Sequence, residues 1–342
     1  MTEFKKNDLF YIPDEVVRKS LTIQEGIKIV EDIYEEYGKG NVFTSEPPGF
    51  TLQQIKENLA HFKVKGASIP SRGISGFRLI GFTPVKINNQ IRETVIYSYC
   101  YLVDPVSAAP LALVNESSQY ILRTGLTAAA TLSKLGKKNS KILAILGAGK
   151  IARTALLGLN TLYSLEEIKV YDISKNYLTS FIKDLKEQTN LNFLPVDSPE
   201  EAIQGSDIVL TATNADEPLV KGEWLKEGVT MCSLGGSQEL DFNIINQVNK
   251  FIIDDFEYCT MVGSIHAWIE RGSSTEEEIK NKLYGDLGEI YSGKKKGREN
   301  DFEKIVVIPQ GLTALDLAFA FFVYKKNKNC TDLQKILIER AN

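Results

Sequence analysis

KILAILGAGKIARTALLGL, residues 141–159, is the stretch whose reading decides the fold. An unbroken apolar run leads into Gly147-Ala148-Gly149-Lys150-Ile151-Ala152, and an apolar segment with helical spacing follows. Strand, glycine turn and helix in that order are what a dinucleotide-binding turn requires. Gly147 permits the tight turn, Gly149 lets the backbone approach a pyrophosphate, and Ala152 is small enough for helix to meet strand. The helix start offers N–H groups and a partial positive charge to the phosphates, so Gly147, Ala148, Gly149, Lys150 and Ile151 are the expected cofactor contacts. Asp172 stands twenty residues beyond Ala152, at the end of a second apolar run (Ile168, Val170, Tyr171). A carboxylate there accepts from a ribose 2′-hydroxyl and repels a 2′-phosphate, which favours NAD over NADP; Lys175 nearby softens that preference.

Downstream the alternation continues. Strands are expected at 141–146, 168–172, 207–211, 229–234 and 250–254, with helices at 150–163, 176–187 and 199–204, a pattern that calls for a Rossmann-type doubly wound parallel sheet in an α/β fold. Thr211, Ala212 and Thr213 close one of these strands and Leu234 another, where small residues leave room for a dinucleotide. Thr211 and Thr213 serve equally well as ordinary β-formers.

Upstream the pattern differs. Apolar residues at helical spacing from Leu21 to Tyr37, with Thr22 and Glu25 as a capping box, predict a helix. The two prolines and two glycines of residues 40–50 predict a loop. β-branched and aromatic runs between His61 and Leu113 predict an antiparallel sheet. A helix rich in Ala, Leu and Thr, Ser118–Leu135, marks the boundary, and the apolar final helix, Thr313–Asn327, is expected to pack back on the first domain. The resulting division is an α+β domain of residues 1–125 and 313–342, for substrate binding and dimerisation, and a cofactor domain of residues 126–312.

Bulk composition narrows the function. Of 342 residues, 43% are hydrophobic and 25% charged, which fits a globular protein with a real core. Forty basic against forty-four acidic side chains give a net charge of −4, without the basic excess that nucleic acid requires. The run Lys294-Lys295-Lys296 with Arg298 is read as a solvated loop. Cys100, Cys232, Cys259 and Cys330 are widely spaced, which argues against a disulfide framework or a metal site and fits a reducing cytoplasm. No apolar stretch approaches transmembrane length, and the N-terminus has no apolar core of a signal peptide.

Several blocks together resemble the ornithine cyclodeaminase and mu-crystallin family: the glycine turn, ILRTGLTAAA (121–130), YLVDPVSAAPLAL (101–113), LGEIYSGKKKGREN (287–300) and IPQGLTALDLAFA (308–320). The resemblance spans about residues 70–325, in the family's order. It implies homodimers whose first domain supplies a dimerising sheet and the substrate site, while the second holds a nicotinamide cofactor. It also implies that Arg123 holds a substrate carboxylate, with Thr124 beside a cofactor phosphate. A guanidinium fork suits that task.

Two departures from the family pattern direct the functional reading. Where a G-x-K strand is usual, this chain has Gly76-Phe77-Arg78, and arginine, which stays protonated, is a carboxylate anchor and not a proton shuttle. The cyclodeaminases also carry an aspartate in a longer loop after a Gly-Gly pair; here Leu234-Gly235-Gly236-Ser237-Gln238-Glu239-Leu240 is shorter and lacks one. Both departures count against cyclodeamination, which needs an acid/base. The chain is most similar to a branch of N-(2-amino-2-carboxyethyl)-glutamate dehydrogenases, which serve 2,3-diaminopropionate synthesis for siderophores and peptide antibiotics. The expectation is therefore an NAD-dependent oxidoreductase acting on a small amino-acid-like substrate with several carboxylates. Arg78, Arg123 and Arg72 are the expected anchors. Glu239 is the candidate base, with Asp316 and His266 as alternatives. Rival readings are an ornithine cyclodeaminase, another amino-acid or imino-acid dehydrogenase, and a non-catalytic binder of the mu-crystallin kind.

Overall fold

The computed structural model describes residues 6–52, 60–87 and 90–339. They fall into two compact units, Met1–Arg123 with Leu312–Asn342, and Thr124–Gly311. In chain order the first unit contributes β1 (Lys6–Ile12), α1 (Asp14–Ser20), α2 (Ile23–Gly38), β2 (Phe43–Thr44), β3 (Phe50–Leu52), β4 (His61–Ile69), β5 (Ile74–Ile87), β6 (Gln90–Val103), β7 (Pro110–Asn115) and the start of α3 (Ser117–Leu135). The second continues with β8 (Ile142–Leu146), α4 (Lys150–Leu162), β9 (Glu167–Tyr171), α5 (Lys175–Lys186), β10 (Phe193–Pro195), α6 (Pro199–Ile203), β11 (Ile208–Thr211) and β12 (Thr230–Ser233). It ends with β13 (Lys250–Ile253), α7 (Phe256–Cys259), α8 (Gly263–Glu270), α9 (Glu276–Lys282), β14 (Gly285–Asp286), α10 (Leu287–Tyr291) and β15 (Ile305–Ile308). The chain then returns to the first unit as α11 (Thr313–Asn327) and β16 (Gln334–Glu339).

The first unit is built on one mixed sheet, ordered β16-β1-β7-β6-β5-β4-β2, with β3 also paired to β4. The stretch 40–50, expected as a loop, supplies the two residues of β2, and Phe50 opens β3. The hydrogen-bonding edge of β4 captures what turn residues alone would leave irregular. Along β4, β5 and β6 the side chains alternate, so that Lys65, Ala67 and Ile69, Arg78 and Ile80, and Ser98, Cys100 and Leu102 are buried. That face is covered by α11, which packs on β4, β5, β6 and α2. Residues Thr313–Ala320 of α11 are all buried, as expected of a helix apolar on every side. α2 begins at a capping box between Thr22 and Glu25, and turns Ile27, Val30, Ile33 and Tyr34 inward.

In the second unit every pairing is parallel, in the order β10-β9-β8-β11-β12-β15-β13-β14. The central strands are buried on both faces, which is why they read as continuous apolar runs. The strand order reverses between β8 and β11, the switch point at which such sheets bind ligands. Small residues of α3 fix α4 against it. A Cβ at Gly125 would lie 2.6 Å from Thr154 Cβ and 2.8 Å from the Ile151 carbonyl oxygen, and one at Gly158 would lie 2.7 Å from Ala129 Cβ. Among the described residues no helix is long and apolar enough to cross a membrane.

The run at 294–298 is only partly the solvated loop its charges suggest. Arg298 is half-buried and donates to the carbonyls of Leu135, Val229, Asn300 and Glu303 and to Thr230 Oγ1, so one guanidinium ties the end of α3 to the start of β12. Its truncation would take five hydrogen bonds from this junction, leaving, among the described residues, Val229 only the Ile305 N–H and Leu135 only the Thr230 hydroxyl as side-chain or inter-strand donors. We predict that Arg298→Ala lowers Tm by about 5 °C or more, while Lys294→Ala, at the exposed end of the same run, leaves it within about 1 °C. Thermal melts followed by circular dichroism decide this.

Candidate active site

Each unit carries one chemically distinctive cluster. In the first unit the antiparallel register places Lys65 opposite Arg78, and Arg78 opposite Cys100. Two cations facing each other across strands repel, and burial raises the cost. The neighbouring elements supply the counter-charges. Glu116, immediately before α3, accepts from Arg78 Nε and from Ser98 Oγ, and Cys100 Sγ lies 3.0 Å from its other oxygen. Asp316, in the first turn of α11, stands 2.8 Å from Arg123 Nε and 3.7 Å from Arg78 Nη1. The Tyr120 ring lies under both guanidiniums, 5.1 Å from Arg78 Cζ and 5.4 Å from Arg123 Cζ. Glu116 and Asp316 are fully buried, while Tyr120 is 38% exposed and forms the open side of the group.

The sequence-expected anchors Arg78 and Arg123 are thus brought together, and Arg72 is not with them. Its guanidinium is 3.1 Å from Asp32 and 3.2 Å from Glu36 on α2, so it fastens a helix and is withdrawn as an anchor. Asp316 is also withdrawn as a base. Burial pushes its carboxyl up, but Arg123, Arg78 and Lys65 outweigh that and hold it below the usual carboxylate range. Burial, reinforced by Glu116, pushes the Cys100 thiol well up, so it stays protonated. Lys65 and Glu116 were missed in the sequence. Lys65 stands in an alternating stretch whose apolar face it shares, and Glu116 reads there as an ordinary helix-start charge. One polar atom in this cluster, Gln119 Oε1, is buried without a hydrogen-bond partner. A buried atom in that state calls for a particular reason, such as a catalytic role or an ordered water.

In the second unit the glycine turn has the geometry its sequence implies. Gly147 has φ 96°, and a Cβ there would lie 2.5 Å from the Ala212 carbonyl oxygen. A Cβ at Gly149 would meet nothing, so the space over the turn is open where a pyrophosphate would lie. The first N–H groups of α4 have no acceptors within the helix. Ala148 is buried, but its N–H donates to Asp172 Oδ2 at 2.7 Å, while Ser174 N–H donates to Oδ1 at 2.7 Å. Lys150 is exposed and Ile151 half-buried. Lys175 is engaged by Asp197 at 2.6 Å. The Thr124 hydroxyl is buried without a partner, on the α3 segment that Gly125 brings against the first turn of α4.

Glu239 stands here in a role other than that of a base. It is fully buried, and its carboxylate accepts from Thr211 Oγ1 (2.5 Å), Thr213 N (2.6 Å) and Oγ1 (2.7 Å), Ser233 Oγ (2.7 Å) and Gly235 N (2.8 Å). No substrate proton reaches an oxygen so enclosed, and the candidacy is withdrawn. The same bonds use the hydroxyl of Thr211, which is fully buried and therefore supports the strand end instead of contacting a ligand. Ala212, Thr213 and Leu234 are partly exposed at the same rim. Asp254 pins the next loop by accepting from the Gln310 (3.0 Å) and Gly311 (2.5 Å) N–H groups, and burial raises its carboxyl above the ordinary value. His266 is structural: Nδ1 lies 2.9 Å from the Thr260 carbonyl oxygen, and Nε2 is 3.6 Å from Glu270. Among the described residues no group of His, Cys, Asp and Glu is arranged to hold a metal.

The Asp316 pairing has a pH signature. A carboxyl whose folded pKa is depressed contributes stability that is fully present above its unfolded pKa of about 3.9 and is lost as pH falls through the folded value. Asp316→Asn should cost about 3–5 kcal/mol at pH 7, and its deficit against the wild type should narrow steadily below about pH 4. Unfolding measured from pH 7 to pH 3 checks both.

The sequence pattern of the Ornithine cyclodeaminase/mu-crystallin family matches residues 12–330. The N-((2S)-2-amino-2-carboxyethyl)-L-glutamate dehydrogenase of Staphylococcus aureus is 27% identical over 286 residues, 80% of this chain and 82% of that protein. The structure of Thermococcus litoralis Delta(1)-pyrroline-2-carboxylate reductase in complex with NADH and L-proline matches with a TM-score of 0.85 at 26% identity, covering 96% of this chain and 100% of that one. An archaeal alanine dehydrogenase dimer with bound NAD matches with a TM-score of 0.86 at 25% identity, over 96% and 99% of the two chains. With the matched pattern covering nearly its whole length and the doubly wound second unit in place, this chain belongs to the ornithine cyclodeaminase/mu-crystallin family.

Proposed function

We propose that this chain is an NAD-dependent oxidoreductase acting on an amino-acid-like substrate, and that the substrate is N-((2S)-2-amino-2-carboxyethyl)-L-glutamate. The glutamate α-carbon loses a hydride and its nitrogen a proton, giving an imine. Water then adds to the C=N bond, the C–N bond breaks, and 2-oxoglutarate and 2,3-diaminopropionate leave. The chemistry NAD supplies is hydride acceptance at the nicotinamide ring. The Gly147–Gly149 turn and the first turn of α4 would hold its pyrophosphate, Thr124 a phosphate oxygen, and Asp172 the adenosine ribose.

The observation that carries the substrate reading is the meeting of Arg78 and Arg123 on one carboxylate and one ring. Two guanidiniums held in fixed planes suit a ligand with more than one carboxylate. Arg78 cannot shuttle a proton as the family lysine would, and the short loop 234–240 brings no aspartate. An oxidation followed by hydrolysis asks less of such a site than cyclodeamination does. The product, 2,3-diaminopropionate, would supply a siderophore or a peptide antibiotic.

The experiment is NADH formation, followed by near-ultraviolet absorbance, with this substrate and with ornithine, alanine and proline as controls. We expect turnover with the first alone and appearance of 2-oxoglutarate; turnover with a control and not with the first would overturn the substrate. No turnover with any, in protein that binds NAD, would favour a non-catalytic binder. Arg123→Lys should lower kcat/KM by about ten- to a hundredfold, because the charge remains and the fork is lost.

The chain also works as a homodimer in this reading. The sheet face opposite α11 carries Phe62, Phe77, Leu79 and Tyr97, all at least 37% exposed. Apolar patches of this kind mark interfaces, and a second copy of the chain is the expected cover. Light scattering should give twice the chain mass for the wild type and a shift toward the monomer for Leu79→Glu.

A further inference from the structure

The carboxylate of Glu239 accepts its five hydrogen bonds from neutral donors, and among the described residues no Lys, Arg or His pairs with it. Burying a charge without a counter-charge is costly, and proteins usually avoid it. Here the local structure is shaped to keep it. A Cβ at Gly235 would run into the Glu239 carboxylate, Ser264 Oγ accepts the Glu239 N–H at 3.2 Å, and the loop is folded over the acid. The donors that hold it come from the carboxyl ends of β11 and β12.

That position has a definite meaning in a doubly wound sheet. The glycine turn follows β8 and takes the pyrophosphate, and Asp172 at the end of β9 takes the adenosine ribose. The other mononucleotide is left the opposite side of the switch point, over β11 and β12. Its ring carries a positive charge in NAD+ and none in NADH. We propose that Glu239 is an electrostatic positioning residue: its uncompensated buried charge beneath the nicotinamide half favours the oxidised cofactor over the reduced one and so poises the site for substrate oxidation. This rests on the cofactor reading above and not on the choice of substrate.

A structural strut and an electrostatic bias differ in one measurable quantity, the ratio of the dissociation constants for NAD+ and NADH. We would measure both by calorimetry and by NADH fluorescence, without substrate, for the wild type, Glu239→Gln and Glu239→Asp. The wild type should bind NAD+ at least as tightly as NADH. Glu239→Gln should weaken NAD+ by on the order of tenfold more than NADH, the size expected of one charge in a poorly screened site. Glu239→Asp, which keeps the charge on a shorter arm, should weaken both forms and leave the ratio near that of the wild type. Equal weakening of both forms by Glu239→Gln would overturn the proposal. Should that variant fail to fold, the wild type alone decides, since NADH bound tenfold more tightly than NAD+ overturns it as well. Absence of binding by either form would overturn the cofactor reading and this one with it.

Discussion

The first unit depends on neutralising charge inside a sheet. Lys65 and Arg78 face each other on neighbouring strands and both are buried, so the register of β4 on β5 is tolerable only with anions set against them. Glu116 arrives from the end of β7 and Asp316 from α11, a segment nearly two hundred residues later in the chain. The sheet, the start of α3 and the C-terminal helix are therefore not independently assembled parts. Replacing such a cluster with apolar side chains is often neutral or stabilising, so stability alone does not account for it.

Much of the second unit could be read directly. Parallel strands buried on both faces become unbroken apolar runs, and β8, β11, β12 and β13 stand out for that reason. The glycine turn was legible because each of its small residues answers a separate local need, and local needs leave local signatures. Helix α2 showed through its capping box and apolar spacing, α3 through its Ala, Leu and Thr content, and α11 through its apolar run.

What stayed hidden was what depends on register and on contacts distant in sequence. Arg78 and Arg123 announced themselves through their segments, but their sharing of Asp316 follows only once α11 lies on β5. Arg72 had no motif of its own to place it, and a single turn of chain delivers it to α2 instead. Glu239 is the clearest case. A glutamate in a glycine-rich loop gives one signal for a base and for a strut, and the five surrounding donors come from strands and loops that no spacing rule joins. Arg298 misled in the opposite sense, since a basic run predicts solvation and says nothing of the carbonyls waiting beneath one member.

Asp172, to which the proposed function gives the adenosine ribose, illustrates how a selectivity residue would become hard to replace. Its two oxygens already fasten the glycine turn to the start of α5, through Ala148 and Ser174. A lineage drifting toward a phosphorylated ribose would have to give up the acid, and with it the brace that shapes the turn. The route to a new cofactor thus crosses a variant weakened for both, unless a compensating change in the turn or in Lys175 comes first. Coupled duties of this kind make an evolutionary choice sticky, independently of whether the choice is still the best one.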